Sequence, residues 1–198
     1  MIVLVRHGRT AANASGLLLG RADPPLDTRG REQATTLAAV LASEPTPVVA
    51  VVTSPLQRAR ATAEVIGASL GASVEVDDRL VEIDYGEWDE RPFAELPDDV
   101  AAAWRADPLF AAPGGESLAA VGTRVAGCVA DLLARAAGAR IVAVSHVSPI
   151  KAAVIRALGL DDDLLAWRLR LDVASITRIA DGPAGPVLLS FNETAHLH

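Results

Sequence analysis

Short runs of branched apolar residues alternate with amphipathic segments along the whole chain, and this alternation limits the folds that are open to it. The clearest runs are residues 2–5, 48–53 and 141–145, each with the length and β-branched content of a strand buried on both faces. Further strands are predicted at residues 74–76, 168–171, 175–179 and 187–191. The pattern predicts one three-layer α/β/α domain over residues 1–198, with a mostly parallel central sheet.

The segments between the strands have helical periodicity. Helices are predicted at residues 29–42, 54–70, 117–137 and 148–158. Ser54-Pro55 and Ser148-Pro149 both indicate a helix start, with serine as the N-cap and proline at the first helical position. Gln57 would complete a capping box with Ser54. Residues 92–112 hold three prolines and scattered apolar residues, so a small helical lid is predicted at about residues 90–116.

Composition excludes several classes of function. With 198 residues, 51% of them hydrophobic, the chain can bury a sizeable core. A net charge of −7 argues against a nucleic-acid partner. The single cysteine rules out a disulfide framework. No apolar run approaches the roughly 20 residues that span a bilayer. We therefore expect a cytoplasmic protein with no membrane partner.

Three strand-to-helix junctions carry polar groups. Arg6-His7-Gly8 follows the first strand, Arg58 follows the second, and His146 follows the strand at residues 141–145. The carboxyl ends of parallel strands meet at one edge of a sheet, so these side chains should lie together. Two guanidinium groups, with helix N-termini expected at the same edge, favour a dianion such as phosphate. A histidine there could act as the nucleophile of phosphoryl transfer.

The motifs at these junctions resemble those of the histidine phosphatase (phosphoglycerate mutase-like) superfamily. They are RHGRT at residues 6–10, SPLQRA at 54–59, EIDYGEW at 82–88 and SH at 145–146. The resemblance extends to Leu26, Gly30, Gln33-Ala34, residues 114–117 and residues 192–197, and so covers almost the whole chain.

The resemblance implies a role for each of five catalytic residues. His7 would accept the phosphoryl group, while Arg6, Arg58 and His146 would hold its oxygens. Glu82 would protonate the leaving oxygen and then activate water, in keeping with the need of a leaving alkoxide for a proton donor. The family works without a metal, so neither a metal nor another cofactor is expected.

Four more positions bear on substrate binding. The resemblance places Asn13 as a hydrogen-bond donor to the phosphate, and Val147, which replaces the usual glycine after the second histidine, beside the phosphate. Arg9 stands where glutamate or glutamine is common, and would either meet a second anionic group of the substrate or face solvent. The role of Arg21 is left open.

Plainer interpretations remain for single residues. His146 alone could be a core histidine, whereas Arg58 opposes the dipole of its own helix, an arrangement that favours a nearby anion. Glu82 belongs to an acidic run, and only the family motif selects it over its neighbours. Glu87 is the control for that choice.

Three functions are weighed. The first is a phosphomonoesterase with a phosphohistidine intermediate, acting on a small phosphorylated metabolite. The second is a cofactor-dependent phosphoglycerate mutase, for which the chain and its lid are short. The third is a catalytically silent binding domain, which would typically have lost one of the four groups Arg6, His7, Arg58 and His146. The substrate and the oligomeric state, including a homodimer, stay open.

Overall fold

The computed structural model describes residues 1–198 as a six-stranded sheet between two layers of helices. The strands are β1 (Ile2–Arg6), β2 (Val48–Thr53), β3 (Val74–Val76), β4 (Arg140–Ser145), β5 (Ile176–Ala180) and β6 (Val187–Glu193). Their order is β3-β2-β4-β1-β5-β6. β5 pairs antiparallel with both of its neighbours, and the other pairings are parallel. The predicted fold class is therefore confirmed.

Alternate residues of the central strands supply the two faces of the core. The helices are α1 (Ala11–Ala14), α2 (Thr28–Ser43), α3 (Gln57–Leu70), α4 (Asp98–Ala106), α5 (Leu118–Ala136) and α6 (Val147–Ala157). Ile2 and Leu4 of β1 belong to the cluster under α5 and α6, whereas Val3 and Val5 belong to the cluster under α2 and α3. This division follows from the period of two along a strand. No helix combines the length and the apolar character that crossing a membrane requires.

The strand predicted at residues 168–171 is wrong. Residues Asp163–Arg168 form a 3₁₀ helix, and the stretch after it joins no sheet. Both edges of β1 are already taken, by β4 and β5. The carbonyl oxygen of Leu171 instead accepts a hydrogen bond from the Arg6 guanidinium at 2.6 Å.

The predicted start of α3 at Ser54 is also wrong. The helix begins at Gln57. Leu56 is its N-cap, but the Leu56 side chain makes no hydrogen bond to the helix. The Gln57 N–H donates to the carboxylate of Asp23 at 2.8 Å, so a distant loop does the capping. Ser54 lies ahead of the helix, where its hydroxyl oxygen accepts the Leu56 N–H at 3.3 Å.

The start of α6 deviates in the same way. Its N-cap is His146, and Ser148 and Pro149 lie within the first turn. The N–H groups of Val147 and Ser148 donate to the carboxylate of Glu82 at 3.0 and 3.1 Å. Both helix N-termini expected to face a ligand are therefore already bound to protein carboxylates.

The segment predicted as a lid, residues 90–116, has a small core of its own. It contains α4 and a 3₁₀ helix at Phe93–Glu95. Its buried apolar cluster is made of Trp88, Leu96, Ala101, Trp104 and Ala112. The two ends of the segment are held together where the Glu87 N–H donates to the Pro113 carbonyl at 3.1 Å and the Glu116 N–H to the Asp84 carbonyl at 2.8 Å.

Candidate active site

The predicted site forms at the carboxyl ends of β1 and β4, which are adjacent and parallel. Arg6 is the last residue of β1 and is paired with Ser145, the last residue of β4. His7 and His146 come next on their strands, and their ring centroids are 4.9 Å apart. Topology therefore brings together residues that are about 140 positions apart in the chain.

His7 is held as a neutral ring with its Nε2 atom free. Its Nδ1 atom is 2.7 Å from the carbonyl oxygen of Gly8. A carbonyl oxygen can only accept a hydrogen bond, so Nδ1 carries the proton and Nε2 keeps its lone pair. Burial, with the positive charges of Arg6 and Arg58, holds the pKa of His7 well below its usual value. The ring is therefore a potential nucleophile at neutral pH.

Arg58 is fully buried and Arg6 is half-buried, and both cations have unused donors. Arg58 donates to the carbonyl oxygens of Ala22 at 2.7 Å and Gly20 at 2.8 Å. The Nε atom of each arginine is buried and has no hydrogen-bond partner. Burial lowers the pKa of Arg6 to about 10 and also lowers that of Arg58, while the Glu82 charge opposes both shifts. Each side chain remains charged at neutral pH, and an unpaired buried donor favours an anionic ligand.

His146 is also neutral. Its Nε2 atom is 2.7 Å from the hydroxyl oxygen of Ser54. A serine oxygen that accepts the Leu56 N–H can accept from a second donor, so this contact fits either a proton on Nε2 or a bare Nε2 that accepts the Ser54 hydrogen. In the second arrangement the ring proton lies on Nδ1, which is buried and without a partner. Burial first, then His7 and Arg58, lower the pKa of His146 well below its usual value.

Glu82 is a buried carboxylate at the same edge, 3% exposed. It accepts the N–H groups of Ile83 at 2.8 Å, Val147 and Ser148. Within the acidic run of residues 82–90, Glu82 is the one buried carboxylate, and Glu87 is exposed. Val147 therefore contributes to the site through its backbone N–H, which donates to the Glu82 side chain.

Asn13 reaches the site from α1. Its amide oxygen accepts the backbone N–H of Thr10 at 3.2 Å and the hydroxyl of Thr10 at 3.0 Å. The Asn13 N–H donates back to that hydroxyl oxygen at 3.2 Å. The amide nitrogen is therefore the part of the side chain that can donate to a ligand.

A cavity of about 110 Å³ opens over these groups. Five of the predicted site residues line it: Arg6, His7, Asn13, Glu82 and Val147. Arg58 and His146 do not line it but lie fully buried beside His7. Tyr85, which sequence reasoning did not single out, also lines it. We call this space the phosphate cavity.

The two further arginines are engaged in ion pairs. The Nε atom of Arg9 is 2.8 Å from Asp27, and the Arg9 side chain is 35% exposed. Arg21 lies 3.9 Å from Asp84 and 3.7 Å from Glu116, and its side chain is 41% exposed. No group of three or more histidine, cysteine, aspartate or glutamate side chains is placed to hold a metal ion.

Sequence reasoning missed the function of Ser54. The residue was assigned to a helix cap, whereas its hydroxyl group contacts the His146 ring. The sequence shows only that Ser54, like His146, directly follows a buried strand. Their contact depends on the adjacency of β2 and β4, which the sequence pattern does not give.

Comparisons with known proteins agree with the geometry. The family model of the histidine phosphatase superfamily (branch 1) matches residues 2–194. A bifunctional protein of Mycobacterium tuberculosis is 37% identical over 99% of this chain, which spans about half (54%) of that relative's length. Phosphoserine phosphatase 1 of Hydrogenobacter thermophilus is 35% identical over 99% of this chain and 93% of its own. A phosphoserine phosphatase of Entamoeba histolytica, solved with 3-phosphoglyceric acid, superposes with a TM-score of 0.90 at 29% identity, over 100% of this chain and 98% of that one.

Proposed function

The chain belongs to branch 1 of the histidine phosphatase superfamily, and on this premise we propose that it is a phosphomonoesterase with a phosphohistidine intermediate. One observation carries the proposal. Two buried donors beside His7, Arg6 Nε and Arg58 Nε, have no protein partner, and neither has the buried Nδ1 atom of His146. A phosphoryl group has the several acceptor oxygens and the negative charge that these donors require.

In the first half of the proposed reaction, His7 is phosphorylated. Its Nε2 lone pair attacks phosphorus in line with the ester oxygen, so an N–P bond forms as the P–O bond breaks. Arg6, Arg58 and His146 hold the non-bridging oxygens, whose charge they stabilise in the transition state. The leaving alkoxide takes a proton from Glu82, whose carboxyl group must enter the reaction in its acid form although it accepts three N–H groups in the free site.

In the second half, the phosphohistidine is hydrolysed. Glu82, now a carboxylate, removes a proton from a water molecule as the water oxygen attacks phosphorus. The N–P bond breaks and its electron pair returns to Nε2 of His7. Inorganic phosphate leaves, and both His7 and Glu82 are back in their starting states.

Three other parts of the chain support this chemistry. The Asn13 amide nitrogen would donate to a phosphoryl oxygen, and the Val147 N–H would keep Glu82 in place. Residues 90–116 would act as the lid over the leaving group. The substrate is a small phosphorylated molecule.

The test is phosphate release from a panel of phosphomonoesters, measured with and without a chelator. Replacing His7 with alanine removes the nucleophile, so His7→Ala should lower kcat by about 10³-fold or more. Glu87→Gln, at an exposed position, is the matched control for Glu82→Gln. The Glu87 variant should leave kcat within about twofold of the wild type. The chelator should have no effect.

Rapid quenching of the wild-type reaction in alkaline denaturant should trap phosphate on His7, because the N–P bond of phosphohistidine is hydrolysed in acid and survives in base. Undiminished turnover in His7→Ala would contradict the proposal. Interconversion of phosphoglycerates without net phosphate release would also contradict it, and would indicate transfer to a second hydroxyl group instead.

A further inference from the structure

A second cavity, of about 70 Å³, lies next to the phosphate cavity. Its walls are mainly apolar and include the indole rings of Trp104 and Trp167 and the side chain of Leu118. Trp104 belongs to the predicted lid and Trp167 to the body of the protein, and their rings meet edge to face at 5.3 Å. The cavity is therefore closed by contact between the lid and the body.

The two cavities are adjacent. Tyr85 and Val147 line both of them. An ester whose phosphoryl group lies over His7 would thus extend its leaving group into the second cavity. Beside the larger effect of burial, the Glu82 charge raises the pKa of Lys151 and the Arg6 charge lowers it.

Lys151 gives the second cavity its charge. It is the only lysine of a chain whose other cationic side chains are all arginines. Its ammonium group donates to the Ala166 carbonyl at 2.9 Å and forms no ion pair, so two of its three N–H bonds are unused. Burial lowers its pKa, which shows that the charged form is poorly solvated.

The second cavity offers an ionic partner only to an anionic ligand. No carboxylate side chain lines it, and Lys151 is the one charged side chain that does. A ligand there meets a cation and mainly apolar walls, which suits a carboxylate attached to a short carbon chain.

We propose that the second cavity holds the leaving group and that Lys151 selects phosphomonoesters of small hydroxycarboxylic acids that lack an ammonium group. The inference rests on the phosphomonoesterase function proposed above. The inference concerns which ester is preferred. Arg6, His7 and Arg58 would bind the phosphoryl group, which every candidate ester has.

Three esters of nearly equal size test the selection. 3-Phosphoglycerate has the carboxylate, glycerol 3-phosphate replaces it with a hydroxymethyl group, and phosphoserine adds an ammonium group. The kcat/KM for 3-phosphoglycerate should exceed that for glycerol 3-phosphate by about tenfold or more, since a charge-assisted contact is lost. Phosphoserine should also be disfavoured, because Lys151 repels its ammonium group.

Lys151→Met removes the charge and keeps the length of the side chain. It should lower kcat/KM for 3-phosphoglycerate by about tenfold, mainly through KM, and leave glycerol 3-phosphate within about twofold. Lys151→Arg should retain part of the preference. Arg60→Met is the matched control, because Arg60 is an exposed cation of α3 that lines neither cavity. It should not change the ratio.

Two results would overturn the inference alone: equal wild-type kcat/KM for 3-phosphoglycerate and glycerol 3-phosphate, or an equal loss for both esters in Lys151→Met. Absence of phosphate release from every ester, p-nitrophenyl phosphate included, would overturn the phosphomonoesterase function and this inference with it. Thermal melting of each variant separates misfolding from lost selectivity.

Discussion

His7 and His146 lie side by side, yet different hydrogen bonds place the proton on each ring. A backbone carbonyl fixes the proton of His7 on Nδ1, and a serine hydroxyl group can fix that of His146 on the same atom. In the proposed reaction His7 would use its Nε2 lone pair for attack, whereas His146 would use an Nδ1–H to hold a phosphoryl oxygen. We therefore propose Ser54 as a positioning residue that acts through His146.

Ser54→Ala should weaken phosphate binding and catalysis without abolishing them. The His146 ring loses the donor to its Nε2 atom, so the proton can move to Nε2 and leave a lone pair facing the phosphoryl oxygens. A loss of about 1–2 kcal/mol is expected, or roughly 5–30-fold in kcat/KM. Nitrogen NMR of the His146 ring should report the change of tautomer.

Ser54→Thr serves as the comparison, because it retains the hydroxyl group and should retain the Nδ1-protonated tautomer. An alanine variant whose His146 spectrum matched the wild type would show that Ser54 does not place the proton.

At the level of elements, local patterns predicted the strands and distant contacts decided the helix starts. The predicted strand at residues 48–53 coincides with β2, because a run of β-branched residues buried on both faces has few alternatives. Residues 168–171, Arg-Leu-Arg-Leu, have only the polar–apolar alternation of a strand. They form none, since β5 already occupies the edge of β1 that was left. The starts of α3 and α6 depend on Asp23 and Glu82, carboxylates more than 30 positions away.

The site residues likewise divide into those that local patterns predict and those that depend on distant contacts. Arg6, His7, Arg58 and His146 could be predicted to lie together because a parallel sheet aligns the ends of its strands. Glu82 could be chosen among five acidic residues only by the family motif, since its burial is a property of the folded chain. The contact of Ser54 with His146 and the second cavity around Lys151 depend on packing between distant segments, which no local pattern encodes.

The lid segment is joined to the sheet at a tight crossing that Gly86 makes possible. Gly86 has φ +50°, and a Cβ atom there would lie 2.2 Å from the Pro113 carbonyl oxygen. Gly86→Ala should therefore destabilise the fold by about 2 kcal/mol or more and raise KM, as the two ends of the lid separate. Urea unfolding and steady-state kinetics measure the two effects.

Gly114→Ala is the control for that substitution. Gly114 also has a positive φ, +71°, but a Cβ atom there would meet open space. The expected cost is backbone strain alone, about 1 kcal/mol. Equal losses in the two variants would show that the close contact with Pro113 does not hold the lid.

Over the whole molecule, the two buried neutral histidines link stability to pH. Burial lowers the pKa of both His7 and His146 in the folded protein, whereas in the unfolded chain each takes up a proton below about pH 6.5. Below that pH the unfolded state binds more protons than the folded state. The free energy of unfolding should then fall as the pH falls, by up to about 1.4 kcal/mol per pH unit for each histidine.

Urea unfolding at pH 7.5 and 5.5 tests this linkage, in a range above the ordinary titration of the carboxylates. The double variant His7→Gln, His146→Gln should show a smaller difference between the two pH values, and His198→Gln, at an exposed position, should behave like the wild type. Equal stability of the wild type at both pH values would contradict the account.

The separate apolar core of the lid segment has a consequence for how such a protein can evolve. Trp88, Leu96, Ala101, Trp104 and Ala112 form a cluster distinct from those on the two faces of the sheet. The phosphate-holding residues come from the sheet edge and from α3, outside that cluster. Mutations that accumulate in the lid over generations can therefore alter which ester is chosen while the inherited phosphate chemistry stays intact. Duplicated genes for such a chain can diverge in substrate before they diverge in mechanism.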